Sequence, residues 1–173
     1  MMDSETRARK ALKTAIEAEK KSLRNYLEFG LKTDDASGKN MFLRLASDEL
    51  EHLNILERQS QSLQECGDWL KVEIEPSDVE MIVPKLGDKD VKIRGTSGLD
   101  QVTALHTALA LERRAHDFYA NQAKQASDKK AREMYVRLAE MEEAHYELVQ
   151  AEIDAIGNTG FWLGLREFSL EIE

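Results

Sequence analysis

Apolar residues recur every three or four positions along four stretches of the chain. These stretches cover residues 4–32, 38–65, 99–125 and 129–156. Because this spacing places apolar side chains on one face of an α-helix, it predicts four amphipathic helices. Short polar breaks join the first helix to the second and the third to the fourth, which indicates two helical hairpins. Gly67 and Gly157 follow the second and fourth stretches, where a glycine commonly ends a helix.

Residues 67–98 break the helical pattern and separate the two hairpins. They contain Pro76, Pro84 and short alternating runs such as residues 70–74, which favour extended, non-helical chain. Roughly 30 extended residues can run the length of a helix of about 28 residues, on the order of 42 Å. The predicted fold class is therefore all-α: a single domain over residues 1–173, built as a ferritin-like four-helix bundle with one long crossover.

The last stretch of the chain, residues 158–173, follows the fourth predicted helix. It contains Phe161, Trp162, Leu163 and Phe168. A segment this apolar is expected to pack on the bundle rather than to form a disordered end.

The two hairpins repeat each other at an offset of 93 residues. In this repeat, Glu19 corresponds to Glu112, Tyr26 to Tyr119, Met41 to Met134, Glu49 to Glu142, and His52 to His145. Such a repeat predicts two units related by a pseudo-twofold axis, so that a site between them would be symmetric.

Four glutamates lie within the apolar stripes of the predicted helices. They are Glu19, Glu49, Glu112 and Glu142. Carboxylates that converge in a core without a counter-charge cost several kcal/mol and raise one another's pKa. No lysine or arginine lies on these stripes near the glutamates, whereas two divalent cations would neutralise all four. The sequence therefore predicts a buried two-metal site.

Two Glu-x-x-His motifs, Glu49 with His52 and Glu142 with His145, strengthen this prediction. Residues three apart share one helix face, so each pair can reach one ion. With single glutamates from the other two helices, such motifs form the ligand set of di-iron and di-manganese carboxylate bundles. The predicted metal ligands and catalytic residues are Glu19, Glu49, His52, Glu112, Glu142 and His145. The alternative is a metal-free interaction bundle whose inward polar groups satisfy one another.

Residues 15–56 and 108–149 resemble the rubrerythrin branch of the ferritin-like family, including a tyrosine seven residues after each first glutamate. The end of the chain, residues 160–171, also resembles the tails of short rubrerythrin-like proteins. The resemblance implies a cofactor of two iron ions and a homodimer. Manganese stays open as the metal, because glutamate and histidine ligands do not separate it from iron.

The resemblance also implies a role for each candidate residue. Glu49 and Glu142 would bridge the two ions, Glu19 and Glu112 would be terminal ligands, and His52 and His145 would each bind one ion. Tyr26 and Tyr119 are interpreted as core aromatic residues whose hydroxyls hydrogen-bond to ligand carboxylates.

Two features of this sequence depart from the family pattern. Rubrerythrins usually carry a rubredoxin-like domain with four cysteines, whereas this sequence has Cys66 alone. The resemblance therefore implies a separate electron donor, such as a rubredoxin-like protein. A further glutamate that the family carries three residues after the third-helix ligand is Ala115 here, which leaves open the ligand exchange that accompanies oxidation in that family. His106 and His116 are interpreted as ordinary packed or exposed residues.

The resulting hypothesis is a non-haem di-iron oxidoreductase that reduces hydrogen peroxide, a small-molecule oxidant, as rubrerythrins do. The alternatives are a ferroxidase or iron-binding protein of the ferritin-like class, and a di-manganese catalase-type enzyme. Oxygen rather than peroxide would be the oxidant in the ferroxidase.

Charge and hydropathy exclude other classes of function. Acidic residues outnumber Lys and Arg by 33 to 24, for a formal net charge of -9, which argues against nucleic-acid binding. No apolar run approaches the length of a membrane span or forms the core of a signal sequence. The lone Cys66 fits a reducing compartment, so a cytoplasmic location is expected.

Overall fold

Two helical hairpins make up most of the computed structural model, which describes residues 4–83, 92–94, 99–160 and 162–164. The elements in chain order are α1 (Ser4–Lys32), α2 (Ala36–Glu65), α3 (Asp78–Ile82), β1 (Lys92–Arg94), α4 (Leu99–Gln125), α5 (Lys129–Thr159) and β2 (Trp162–Gly164). Helix α1 packs along α2 and α4 packs along α5, while contacts between α1 and α4 join the hairpins. The predicted all-α bundle is confirmed.

The helix ends follow from local capping chemistry. The Asp35 carboxylate accepts hydrogen bonds from the backbone N–H groups of Ser37 and Gly38 and so fixes the start of α2, two residues earlier than predicted. The predicted end of the fourth helix at Gly157 is wrong, since α5 continues to Thr159. Gly160 ends the helix because it adopts the left-handed conformation, with φ of 77°.

The crossover between the hairpins contains the short helix α3, so the prediction that residues 67–98 are non-helical throughout is wrong. Ser77 and Glu80 form a capping box that starts this helix. Arg137 on α5 then binds Glu80, with 2.5 Å between Nη1 and Oε1. This ion pair ties the crossover to the side of the bundle. The interpretation of the chain as one domain stays a prediction.

A two-stranded antiparallel ribbon joins the crossover to the end of the chain. Strand β1 pairs with β2 so that Arg94 lies opposite Trp162 and Lys92 opposite Gly164. The Trp162 side chain is fully buried, and its ring lies edge-on to Phe42 at 6.0 Å between centroids. Trp162 thus packs in the core, while the packing of the whole tail, residues 158–173, on the bundle stays a prediction. The other two aromatic residues of the tail, Phe161 and Phe168, lie outside the described residues.

Two apolar layers fill the bundle and enclose a polar layer. One apolar layer includes Leu12, Leu56 and Leu138, and the other includes Leu45 and Leu148. Met41 and Met134 are buried within these layers, as expected of core residues. Each long helix passes from one layer to the other through the level of its inward glutamate. Within the described ranges, no helix combines the length and apolar character needed to cross a membrane.

Candidate metal centre

Six polar side chains converge between the two apolar layers. Each of the four long helices contributes a glutamate, and α2 and α5 each add a histidine one turn further on. These residues are Glu19, Glu49, His52, Glu112, Glu142 and His145, and none is more than 2% exposed. They are the six residues that the sequence placed in the predicted metal site. The structure brings all of them together.

The six side chains form two overlapping groups, each with ligand atoms within 4.8 Å of one another. One group contains Glu19, Glu49, His52 and Glu142, and the other contains Glu49, Glu112, Glu142 and His145. Glu49 and Glu142 belong to both groups. Each group therefore draws side chains from both hairpins, as a site for two ions with two shared carboxylates requires.

Distances from the histidine rings show how the shared carboxylates are oriented. His52 Nδ1 lies 3.1 Å from Glu142 Oε1 and 3.8 Å from Glu49 Oε2. His145 Nδ1 lies 3.4 Å from Glu49 Oε1 and 3.7 Å from Glu142 Oε2. Each shared carboxylate thus turns one oxygen towards each histidine, which is the orientation of a bridging ligand. The two imidazole rings stack at 5.5 Å between centroids.

Two tyrosines hold the unshared glutamates from across the α1–α4 contact. The Tyr26 hydroxyl on α1 donates to Glu112 Oε1 on α4, and the Tyr119 hydroxyl on α4 donates to Glu19 Oε1 on α1. The second oxygens of these glutamates face the histidines: Glu112 Oε2 lies 3.4 Å from His145 Nδ1. Burial, followed by the nearby carboxylates, raises the pKa of both tyrosines well above the usual value, so the hydroxyls remain donors.

The charges of the cluster are strongly coupled. Burial and the neighbouring carboxylates raise the pKa of Glu49 to about 7. Burial likewise raises the pKa of Glu112 to about 8. Burial also acts to raise the pKa of Glu142, but interactions with His145 and His52 outweigh burial and lower it. Protons and metal cations therefore compete for the same buried oxygen atoms.

The residues fit a pair of divalent metal ions. Among the described residues, the buried polar atoms without a hydrogen-bond partner include both carboxylate oxygens of Glu49 and Glu142 and Nδ1 of both histidines, His52 and His145. Such atoms are costly in a core unless something binds them. Carboxylate oxygen and imidazole nitrogen are donors that suit iron and manganese. The cluster is therefore suited to a di-metal site, and the donor set does not identify the metal.

Sequence reasoning missed one residue of the site, Asp48. Its Oδ2 atom lies 3.0 Å from His145 Nε2, on the side of the ring that faces away from the cluster. Burial raises the pKa of Asp48, but interactions with His145 and the Ser77 hydroxyl outweigh burial and lower it below the usual value. The repeat carried a signal, because Asp48 corresponds to the apolar Met141 and so occupies a core position.

The remaining candidate residues lie outside the cluster. Ala115 is half-buried and packs against an apolar layer. His116 lies on the outside of the α4–α5 hairpin, with Nε2 3.7 Å from Glu143. His106 and Cys66 are exposed. Within the described part of the chain, the six residues therefore form the cluster without a contribution from these four.

The fold and the buried carboxylate and histidine cluster define a ferritin-like helical bundle with a site suited to two metal ions. The chain belongs to the rubrerythrin family, since the model of that family matches residues 10–153. A solved structure of a hypothetical protein from Pyrococcus furiosus has a similar fold, with a TM-score of 0.66 and 22% sequence identity over 87% of this chain and 90% of that chain. No curated protein sequence matches the chain.

Proposed function

We propose that this protein is a non-haem di-iron oxidoreductase that reduces hydrogen peroxide with electrons from a separate donor. Family membership supports the class of chemistry. The observation that carries the proposal is the pair of overlapping ligand groups, with Glu49 and Glu142 shared between them. Two ions held side by side suit a two-electron reaction on a small substrate with two reacting oxygen atoms.

The protein's own residues would bind and position the metal ions. Glu49 and Glu142 would bridge them, while Glu19 with His52 and Glu112 with His145 would each complete one position. When bound, two ferrous ions would supply two electrons that, with two protons, convert hydrogen peroxide to two water molecules.

The tyrosines and the apolar layers would control the environment of the reaction. By occupying one oxygen of Glu112 and one of Glu19, the hydroxyls of Tyr26 and Tyr119 leave a single oxygen of each glutamate facing the cluster. The apolar layers on either side limit the access of water, which strengthens the electrostatic interactions among the charged groups.

An alanine at position 115 favours a fixed ligand set. Alanine offers no ligand atom, so α4 provides Glu112 alone among the described cluster residues. We infer that the same six residues hold the metal ions throughout the reaction, and that no further carboxylate enters from this position.

A separate rubredoxin-like electron donor, a homodimer and a cytoplasmic location remain predictions of the sequence.

The first test compares hydrogen peroxide with oxygen as the oxidant. The metal-free protein is loaded anaerobically with two equivalents of ferrous iron and mixed with each oxidant at equal concentration, and near-ultraviolet absorption reports oxidation of the site. We expect peroxide to oxidise the site much faster than oxygen does. If oxygen is as fast or faster, the peroxidase proposal is wrong and ferroxidase chemistry replaces it.

Substitutions at the cluster test the residue roles. We expect His52→Ala and Glu142→Gln to abolish peroxide-dependent turnover because each removes a ligand. His116→Ala is the matched control, since it removes a helix histidine that lies outside the cluster and should leave turnover unchanged. Turnover that survives either ligand substitution would overturn the assignment.

A further inference from the structure

The two histidines of the site differ at the ring nitrogen that faces away from the cluster. His145 Nε2 lies 3.0 Å from the Asp48 carboxylate. His52 Nε2 is buried and has no hydrogen-bond partner among residues that the structure describes. Both rings present Nδ1 to the shared Glu142, and this hydrogen-bond partner is present or absent on the outer side of each ring.

The internal repeat shows this difference between its two copies in the sequence. Asp48 immediately precedes Glu49, and the residue that immediately precedes Glu142 is Met141. Met141 is only 2% exposed, and a thioether is a weak hydrogen-bond acceptor. The six cluster residues are duplicated in type and position, whereas this carboxylate occurs in one copy alone.

The position of Asp48 is itself constrained. The aspartate is 8% exposed on α2, and α2 contacts the short crossover helix α3, which begins after Ser77. Ser77 is fixed in turn, because its Oγ caps the Glu80 backbone N–H. The crossover thus packs against the helix that carries Asp48, while the Asp48 carboxylate faces His145.

A carboxylate at this place selects one form of the imidazole ring. When Nε2–H of His145 donates to Asp48, the neutral ring carries its lone pair on Nδ1, which faces the cluster and is where a cation would bind. The carboxylate also makes the imidazole a stronger electron donor. No described partner selects the tautomer of His52 in this way.

We propose that Asp48 is a positioning residue that makes the two metal positions unequal, so that the position formed with Glu112 and His145 binds its ion more tightly than the position formed with Glu19 and His52. This inference rests on the proposed two-metal site. Removal of such a hydrogen-bond partner typically weakens metal affinity by about 10- to 100-fold. The two positions should therefore fill in sequence, and a one-ion form should exist at limiting metal.

A titration of the metal-free protein with Co²⁺ under anaerobic conditions tests this inference. Visible absorption of the bound cobalt, together with calorimetry, gives the stoichiometry and affinity of each phase. We expect one tight and one weak phase, of one ion each. Asp48→Asn should weaken the tight phase by about 10- to 100-fold, whereas Met141→Leu, the matched change at the corresponding position, should leave both phases unchanged.

A second measurement separates positioning from a merely structural role. In the protein loaded with diamagnetic Zn²⁺, proton NMR should show a slowly exchanging imidazole Nε2–H signal of His145, and Asp48→Asn should shift or abolish it while circular dichroism stays unchanged. Equal affinities in the unmodified protein, an equal loss in both phases, or an unaffected NMR signal would overturn the inference. A protein that binds no metal at all would instead overturn the proposed function, so the two failures are distinguishable.

Discussion

Replacing Glu152 by glutamine should make the stability of the protein less dependent on pH. The Glu152 side chain is fully buried on α5, and its Oε2 accepts a hydrogen bond from the Leu163 backbone N–H at 2.9 Å. Its Oε1 has no partner among the described residues. Burial, with a smaller contribution from Asp35, raises the pKa of this carboxyl to about 8.

The internal repeat shows what a glutamine does at this place. Gln59 corresponds to Glu152, and Leu70 corresponds to Leu163, at the same offset of 93 residues. Gln59 accepts from the Leu70 N–H and donates to the Leu70 carbonyl, both at 3.0 Å. An ionised Glu152 can only accept. Glu152→Gln should therefore allow the same two hydrogen bonds to form with Leu163.

The raised pKa fixes the sign and size of the effect. Below pH 4.5 the group is protonated in both the folded and the unfolded protein, so its full contribution to stability is present. Between pH 4.5 and about 8, the unfolded chain releases the proton while the folded protein retains it, and the free energy of unfolding falls as pH rises. At about 1.4 kcal/mol per pH unit, the total loss approaches about 5 kcal/mol.

Urea unfolding of the metal-free protein, followed by far-ultraviolet circular dichroism across this pH range, measures the effect. We expect Glu152→Gln and the unmodified protein to be similarly stable near pH 4.5, and the variant to be more stable by several kcal/mol near pH 8. Glu147→Gln is the control, because Glu147 is exposed on the same helix and its replacement should change little. A stability difference that does not vary with pH, or a variant that is less stable at pH 8, would refute the reasoning.

Two further predictions concern a close helix contact and the metal site. Gly38→Ala should lower the free energy of unfolding by about 1–3 kcal/mol, because a Cβ atom there would lie 2.6 Å from the buried Trp162 ring. Gly157→Ala, whose Cβ atom would meet no atom within 4 Å, should instead be neutral or stabilise α5 by about 0.5–1 kcal/mol. Urea unfolding measures both variants, and the same change in the free energy of unfolding for both would contradict this prediction. Divalent metal at 100 times its dissociation constant should raise the free energy of unfolding by about 2.7 kcal/mol for each site, and a thermal midpoint that ferrous or cobalt ions leave unchanged would count against metal binding.

Features set by periodicity along one helix were predictable from the sequence. Helices α1 and α4 have the predicted bounds, and apolar residues recur at helical spacing along most of each helix. The inward glutamates were found for the same reason, and the repeat identified their partners. In these features, the structure favoured by the local sequence pattern is the one that the whole chain adopts.

Features that depend on competing local signals, or on the pairing of segments far apart in the sequence, were not predicted. Gly157 and Gly160 are both plausible helix ends, and only the backbone conformation shows that the second one ends α5. The pairing of β1 with β2 joins segments far apart in sequence, which no local pattern reveals. The sequence contains the Ser-x-x-Glu pattern of a capping box at Ser77 and Glu80, but the prolines around it favoured the prediction of extended chain.

The long crossover has a consequence for how the two halves of the molecule can change. Two identical hairpins would build the same four-helix site as a symmetric pair of separate chains, and any substitution would then appear in both. Joined in one chain, the copies can differ: one has Asp48 where the other has Met141, and one has Gln59 where the other has Glu152. Covalent linkage thus permits two metal positions of similar ligands to acquire different affinities, which an assembly of identical subunits cannot encode.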